Sequence, residues 1–259
     1  MSLGVALVER RSRGVRLTDA GEVLGRHARR LFQEEQAAEA ALEALMGLES
    51  GHLSVASSTT IGSYIVPAVF GELHAAHPHI RLELEIGNAA RVEELVLEGQ
   101  LDLGLSEGLV SSDAVEVEVF AHDQMVLIVA PGHPLAAGAR AVTQAELRVL
   151  PIIVRERGSG TREVVEDALA RRGIDISPVM SLGSTEAIKN AVAEGLGAAL
   201  VSRLALDQEL HSGRLCAVEV EGLSIRRALH LLTLESKPPS PVASEFLRLL
   251  RLRYPNEPV

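Results

Sequence analysis

The chain has no tryptophan, a single cysteine, and only four Phe and two Tyr among 259 residues. With Phe32, Phe70, Phe120, Phe246, Tyr64 and Tyr254 as its whole aromatic set, a ligand site built on extensive ring stacking is disfavoured. Cys216 alone excludes an internal disulfide and a cysteine-cluster metal site, and reads as a small hydrophobe in a reducing compartment. Lysine is nearly missing too: Lys189 and Lys237 stand against arginine in a total of 25 basic residues, a bias that says little about function. No apolar run approaches the roughly 20 residues of a membrane-spanning helix, and the arginine-rich start lacks the apolar segment of a signal peptide. These absences read as a cytoplasmic protein with no membrane partner.

Catalytic patterns are also missing. There is no G-x-S-x-G elbow, and no Gly-Lys-Ser/Thr completes a phosphate loop. His74, His77 and His79 straddle Pro78 without an acidic or cysteine partner, which reads as a solvated helix end, not a metal site. Neither an enzyme nor a cofactor is implied.

What is present begins with charge. Residues 1–30 hold seven Arg against Glu9, Asp19 and Glu22, a net of +4, so residues 31–259 carry −14 of the chain's −10. The run Glu9-Arg10-Arg11-Ser12-Arg13-Gly14-Val15-Arg16 therefore marks a polyanion-facing end on an acidic body. From Thr18, a plausible N-cap, helical residues continue to Glu49 without proline. Leu24, Leu31, Ala38 and Leu45 recur every seven, with Ala28 and Leu42 between them. Such a stripe wants a partner helix, although the pattern alone leaves open a helix folded back on its own domain.

Beyond Gly51 strands and helices alternate, which predicts an open α/β sheet. Strands are expected at 53–57, 81–86, 101–105, 115–120 and 125–130, with helices at 63–76 and 89–98. The turn Pro131-Gly132-His133-Pro134 reads as the crossing into a second lobe. That lobe repeats the scheme: strands at 152–155, 179–182, 198–201 and 215–220, and helices at 161–172, 185–193 and 204–211. A strand at 227–234 returns to the first lobe, and Pro241 opens a last helix to about Leu252.

In such sheets ligands bind beyond the carboxyl ends of the strands, facing helix N-termini. Hydroxyl and amide residues sit at those junctions: Ser57-Ser58-Thr59-Thr60, Asn88, Ser106, Ser159-Gly160-Thr161, Ser184 and Ser202. Each alone is an ordinary N-cap; together they supply the donors a small anion or zwitterion needs. The sharpest segment is Arg155-Glu156-Arg157-Gly158-Ser159-Gly160-Thr161-Arg162, whose glycines admit close backbone approach beside three arginines. A glycine-permitted turn with solvated arginines is the plain alternative. Glu186 and Lys189, three apart, read as a surface ion pair worth a few tenths of a kcal/mol.

Leu3-Gly4-Val5-Ala6-Leu7-Val8-Glu9-Arg10 followed by Arg16-Leu17-Thr18-Asp19-Ala20-Gly21 resembles the end of the winged helix-turn-helix of LysR-type transcriptional regulators. Gly158-Ser159-Gly160-Thr161, and Gly183-Ser184-Thr185 with Gly195-Leu196-Gly197, resemble that family's effector-binding part. The resemblance implies a remnant wing (1–20), a linker or dimerisation helix (21–50), and a two-lobed, periplasmic-binding-protein-like effector domain. Its lobe I would be 51–131 with 226–259, and its lobe II 132–225. It further implies a bacterial regulator that is a homodimer or homotetramer, binds operator DNA, and holds a small anionic effector between the lobes. Effector contacts would come from Ser58, Thr59, Asn88, Ser106, Ser159, Thr161, Ser184 and Ser202, and DNA phosphate contacts from Arg10, Arg11, Arg13 and Arg16. Members of the family carry several tens of residues ahead of this point, so the chain is expected to be truncated or its start assigned late. A cytoplasmic solute-binding protein, or an enzyme on the same scaffold, are the alternatives.

Overall fold

A computed structural model of the chain describes residues 4–10, 15–46, 48, 50–108, 110, 112–136, 140–234 and 237–255. Side chains 33, 36, 37, 39–41 and 43–46 of the first helix fall outside that set, Leu45 among them.

Strands β1 (Val8–Arg10) and β2 (Val15–Leu17) form an antiparallel ribbon with Glu9 opposite Arg16. Arg10 and Arg16 are exposed on it, while Arg11 and Arg13 lie outside the described residues. Thr18 caps the helix that follows, accepting the Gly21 N–H at 3.0 Å and donating to the Ala6 carbonyl at 2.7 Å. Helix α1 (Asp19–Met46) carries Asp19 and Glu22 in its first turn, where acids suit the dipole. Its stripe is bare: Leu31 is 72% and Leu42 62% exposed, with Phe32 beside them at 64%. Apolar side chains left open among the described residues of this helix favour a partner over a fold-back.

The α/β body starts with β3 (Gly51–Ser58), parallel to β4 (Ile80–Gly87) on one side and β5 (Leu103–Ser106) on the other. Covered on both faces, β3 is buried without interruption from Leu53 to Ser58, whereas edge strand β4 alternates. Beyond β5 the sheet turns antiparallel through β11 (Ile225–Leu234) and β6 (Val115–Val129). The far half of β6 pairs with β9 (Ala199–Ser202) and β10 (Cys216–Val218). Strands β7 (Ile152–Arg155) and β8 (Pro178–Leu182) form a second, two-stranded parallel sheet, tied to the first just before β9 by the bridge Ile152–Ala198.

Two strands were expected where β6 runs unbroken for 15 residues. The charge at Asp123 does not interrupt it because Arg227 lies directly opposite on β11. Both strands pass from one half of the molecule to the other.

Helices α2 (Thr59–Tyr64) and α3 (Val66–Ala76) replace the single expected helix. Pro67 has no N–H to continue the ladder, so the chain bends at Ile65 and restarts with proline in the first turn. Helix α4 (Ala89–Glu98) is capped by Asn88 and closed by Gly99 at φ 69°. An unforeseen α5 (Gln144–Val149) begins with a capping box between Thr143 and Glu146. Arg140, then the Thr143 N–H and hydroxyl, hold the Glu146 carboxyl well below the usual carboxylate range. Helices α6 (Gly160–Ala170) and α7 (Thr185–Ala193) flank the second sheet. The helix expected at 204–211 is a 3-10 turn, Arg203–Ala205, followed by α8 (Asp207–His211). Ser240 caps α9 (Pro241–Arg253), which returns to the first half.

Apolar packing follows this division. Leu53, Val55, Ile61, Leu73 and Phe246 centre one core, with Phe70 edge-on to Phe246 at 5.6 Å. In the other half, alternation along β6 sends Leu127 and Val129 to one face of the sheet and Ile128 to the opposite face.

Candidate functional site

Helix starts from both halves meet where the sheets end. Ser58 precedes α2 and Ser159 precedes α6; neither hydroxyl makes a cap hydrogen bond, and both residues are at most 2% exposed. By contrast Asn88 accepts from Arg91 N, Ser184 from Ala187 N, and Ser202 from Leu204 N. Ser106 is likewise engaged, accepting the Gly108 N–H at 3.2 Å. The structure thus brings Ser58 and Thr161 into one polar network, sets Thr59 against Arg155, and spends Asn88, Ser106, Ser184 and Ser202 on shaping turns.

At the network's centre stand three charged residues that sequence reading passed over. Ser58 donates to Glu107 Oε2, and the Thr161 hydroxyl lies 3.5 Å from Glu107 Oε1. The guanidinium of Arg227 reaches Thr161 Oγ1 at 2.8 Å, Glu107 Oε1 at 3.2 Å, and Asp123 Oδ2 through Nε at 2.8 Å and Nη2 at 2.7 Å. Side chains of Glu107, Asp123 and Arg227 are 3%, 1% and 1% exposed. A signal existed for Arg227, a charge inside the expected strand 227–234, since a charge in such a strand is buried only when paired. Asp123 Oδ1 has no hydrogen-bond partner among the described residues.

Arg155, the first arginine of the glycine-rich segment, is buried at the end of β7 rather than solvated. It donates to Thr185 Oγ1 at 3.2 Å and across to Thr59 Oγ1 at 3.3 Å, and pairs with Glu156 at 2.8 Å. Arg157 is exposed, and Arg162 pairs with Glu166 on its own helix. Two glycines set the approach of the halves: a Cβ on Gly160 would stand 2.8 Å from Gly108 N, and Gly158, at φ +80°, abuts the Asn88 amide.

A second contact spans the halves. Lys189 is no surface partner of Glu186: it is 5% exposed and bonds Glu186 at 2.6 Å, Glu209 at 2.9 Å and the Ala205 carbonyl at 2.9 Å. Its helix lies against Leu206 and the second-sheet core, so the ammonium must find partners indoors. Tyr64 of α2 donates to Glu186 and presents its ring 5.5 Å from Lys189 Nζ. Burial first, then the Glu186 bond, pushes the Tyr64 phenol up to about 12. Because the folded pKa is raised, this phenol's contribution is whole below its unfolded pKa of about 10 and is lost as pH rises towards the folded value. Ultraviolet titration should show a tyrosinate step near 12 that Tyr64→Phe removes; an unchanged curve would deny the contact.

Among the described residues no cluster of His, Cys, Asp and Glu is placed to hold a metal ion, and no helix is long and apolar enough to cross a membrane.

Residues 46–254 match the LysR substrate binding domain. The chain is 37% identical to the HTH-type transcriptional regulator YeiE of Escherichia coli over 88% of its own length and 75% of that protein. It is 34% identical to the RuBisCO operon transcriptional regulator of Allochromatium vinosum, over 94% of this chain and 80% of that one. The regulatory domain of CcmR from Synechocystis PCC6803, solved in complex with 2-PG, superposes with a TM-score of 0.74 at 28% identity, covering 81% of this chain and 100% of that domain. The chain belongs to the LysR-type transcriptional regulators, a regulator of transcription and not an enzyme.

Proposed function

We propose that this regulator, acting in the cytoplasm as a homodimer or homotetramer on operator DNA, senses a small anion held between its lobes. The observation that carries the reading is the pair of helix starts at Ser58 and Ser159, whose hydroxyls are left out of capping, with buried Arg155 bridging Thr59 of α2 and Thr185 of α7. Helix N-termini and a guanidinium are the donors an anion needs. Glu156, the ion partner of Arg155, has its side chain 30% exposed and can turn to water when an anion takes its place. Ser58, Thr59, Ser159 and Thr161 contact the effector; Asn88, Ser106, Ser184 and Ser202 hold the turns that present them. An effector of this kind biases how the lobes meet, and paired α1 helices carry the bias to DNA. Arg10, Arg11, Arg13 and Arg16 contribute phosphate contacts without reading bases.

A thermal-shift screen of the purified chain against phosphate, sulfate, sugar phosphates and small carboxylates tests this. A ligand at a hundred times its Kd stabilises by about 2.7 kcal/mol, a shift of several degrees. Ser159→Ala combined with Thr161→Ala should weaken the hit about tenfold, the loss of roughly one net hydrogen bond. A hit indifferent to both substitutions would place the effector elsewhere.

A further inference from the structure

We propose that Glu107 selects the effector by its proton: the cleft accepts anions that carry an O–H, such as hydrogen phosphate or a hydroxy acid, and turns away fully deprotonated ones such as sulfate. The inference rests on the interlobe anion site described above and names the ligand class of that site.

Arg227 is the guanidinium on this wall: its Nε bonds Asp123, and its Nη1 bonds Thr161 and pairs with Glu107. Two carboxylates against one guanidinium leave the trio with a formal charge of −1, and every member is at least nine-tenths buried. Among the described residues Asp123 Oδ1 and Arg227 Nη2 have no hydrogen-bond partner, whereas both oxygens of Glu107 already serve as acceptors. An ionised carboxylate can only accept. An aprotic anion oxygen brought against Glu107 would place two acceptors together in a desolvated site, with no hydrogen between them and like charges adjoining. An anion bearing an O–H meets the same oxygen as a donor and takes over the role the Ser58 hydroxyl plays in the present structure. A site built to receive a ligand hydrogen bond rejects the analogue that lacks it, because its own buried group is then left unmatched. Arg155, on the opposite wall, supplies the charge that holds the anion.

Calorimetric titration of the full chain with potassium phosphate and with potassium sulfate near neutral pH reads this directly. The wild-type chain should bind phosphate at least about tenfold more tightly than sulfate. Glu107→Gln, whose amide offers an N–H, should gain sulfate binding and reduce the preference to about threefold or less, whereas Glu107→Asp keeps the acceptor and the preference. A role in folding alone would change both affinities together and leave their ratio intact. Sulfate binding as tightly as phosphate to the wild-type chain, or a preference that survives Gln, overturns the inference while leaving the anion cleft standing. If neither anion binds the wild-type chain or either variant at high millimolar concentration, the cleft reading itself falls, and this inference with it.

Discussion

Replacing Arg227 by methionine is expected to remove about 3–5 kcal/mol of stability, because it strands two buried carboxylates instead of merely deleting an ion pair. Glu107 and Asp123 are 3% and 1% exposed, and Arg227 pairs with both, donating a hydrogen bond to Asp123. With the guanidinium gone, each must either stay charged in an apolar setting or bind a proton, and both cost free energy at neutral pH. In a chain of this size each kcal/mol moves the melting point by roughly 2–4 °C, so the fall should be on the order of ten degrees. The decisive comparison is chemical denaturation of Arg227→Met beside the triple variant that adds Glu107→Gln and Asp123→Asn. Removing both charges should return most of the loss, since the methionine fills similar volume and the amides no longer need a counter-ion. A triple variant no more stable than the single one would mean that the guanidinium acts by packing rather than by charge.

That trio also shows what was legible in the sequence and what was not. Elements whose ends are set by local chemistry were read closely. Asn88 and Gly99 bracket α4 at Ala89–Glu98, Ser184 opens α7, and Ser240 with Pro241 opens α9, each through a cap bond within three residues of itself. The alternation of strand and helix likewise gave the α/β class, since period-2 and period-3.6 patterns are local. The failures are residues whose partners are remote. Asp123 fell in the gap left between the expected strands 115–120 and 125–130, because Arg227, which neutralises it, is 104 positions away. Lys189 resembled a surface lysine because the Glu209 carboxylate that meets it comes from α8, after another strand and turn. Ser58 and Ser184 look alike as N-caps; only the folded chain shows that one is capping and the other is bonded to Glu107. The wing arginines stay divided, with Arg10 and Arg16 placed on a ribbon and Arg11 and Arg13 outside the described residues.

Gly160→Ala should leave each half folded yet weaken effector binding about a hundredfold, the order of losing one hydrogen bond to a charged ligand group. The backbone at position 160 is not in the left-handed region, and at the first position of α6 alanine is the better helix former by up to about 1 kcal/mol. The difficulty is the neighbour. A Cβ there would stand 2.8 Å from Gly108 N, 2.9 Å from Gly108 Cα and 3.1 Å from the Glu107 carbonyl carbon. All three are backbone atoms of the opposite wall, so no side chain can swing aside, and the walls must part. Parting them draws Thr161 away from Glu107 and Arg227, the contacts by which α6 closes the cleft. Gly183→Ala is the matched control, in the same half of the chain with nothing within 4 Å of the added carbon. Titration calorimetry with the effector found by screening should show the hundredfold loss for Gly160→Ala and none for Gly183→Ala, while both variants melt cooperatively. An unchanged Kd for Gly160→Ala would mean that effector binding does not draw on this closure, and that the two helix starts serve the ligand from a wider separation than the structure shows.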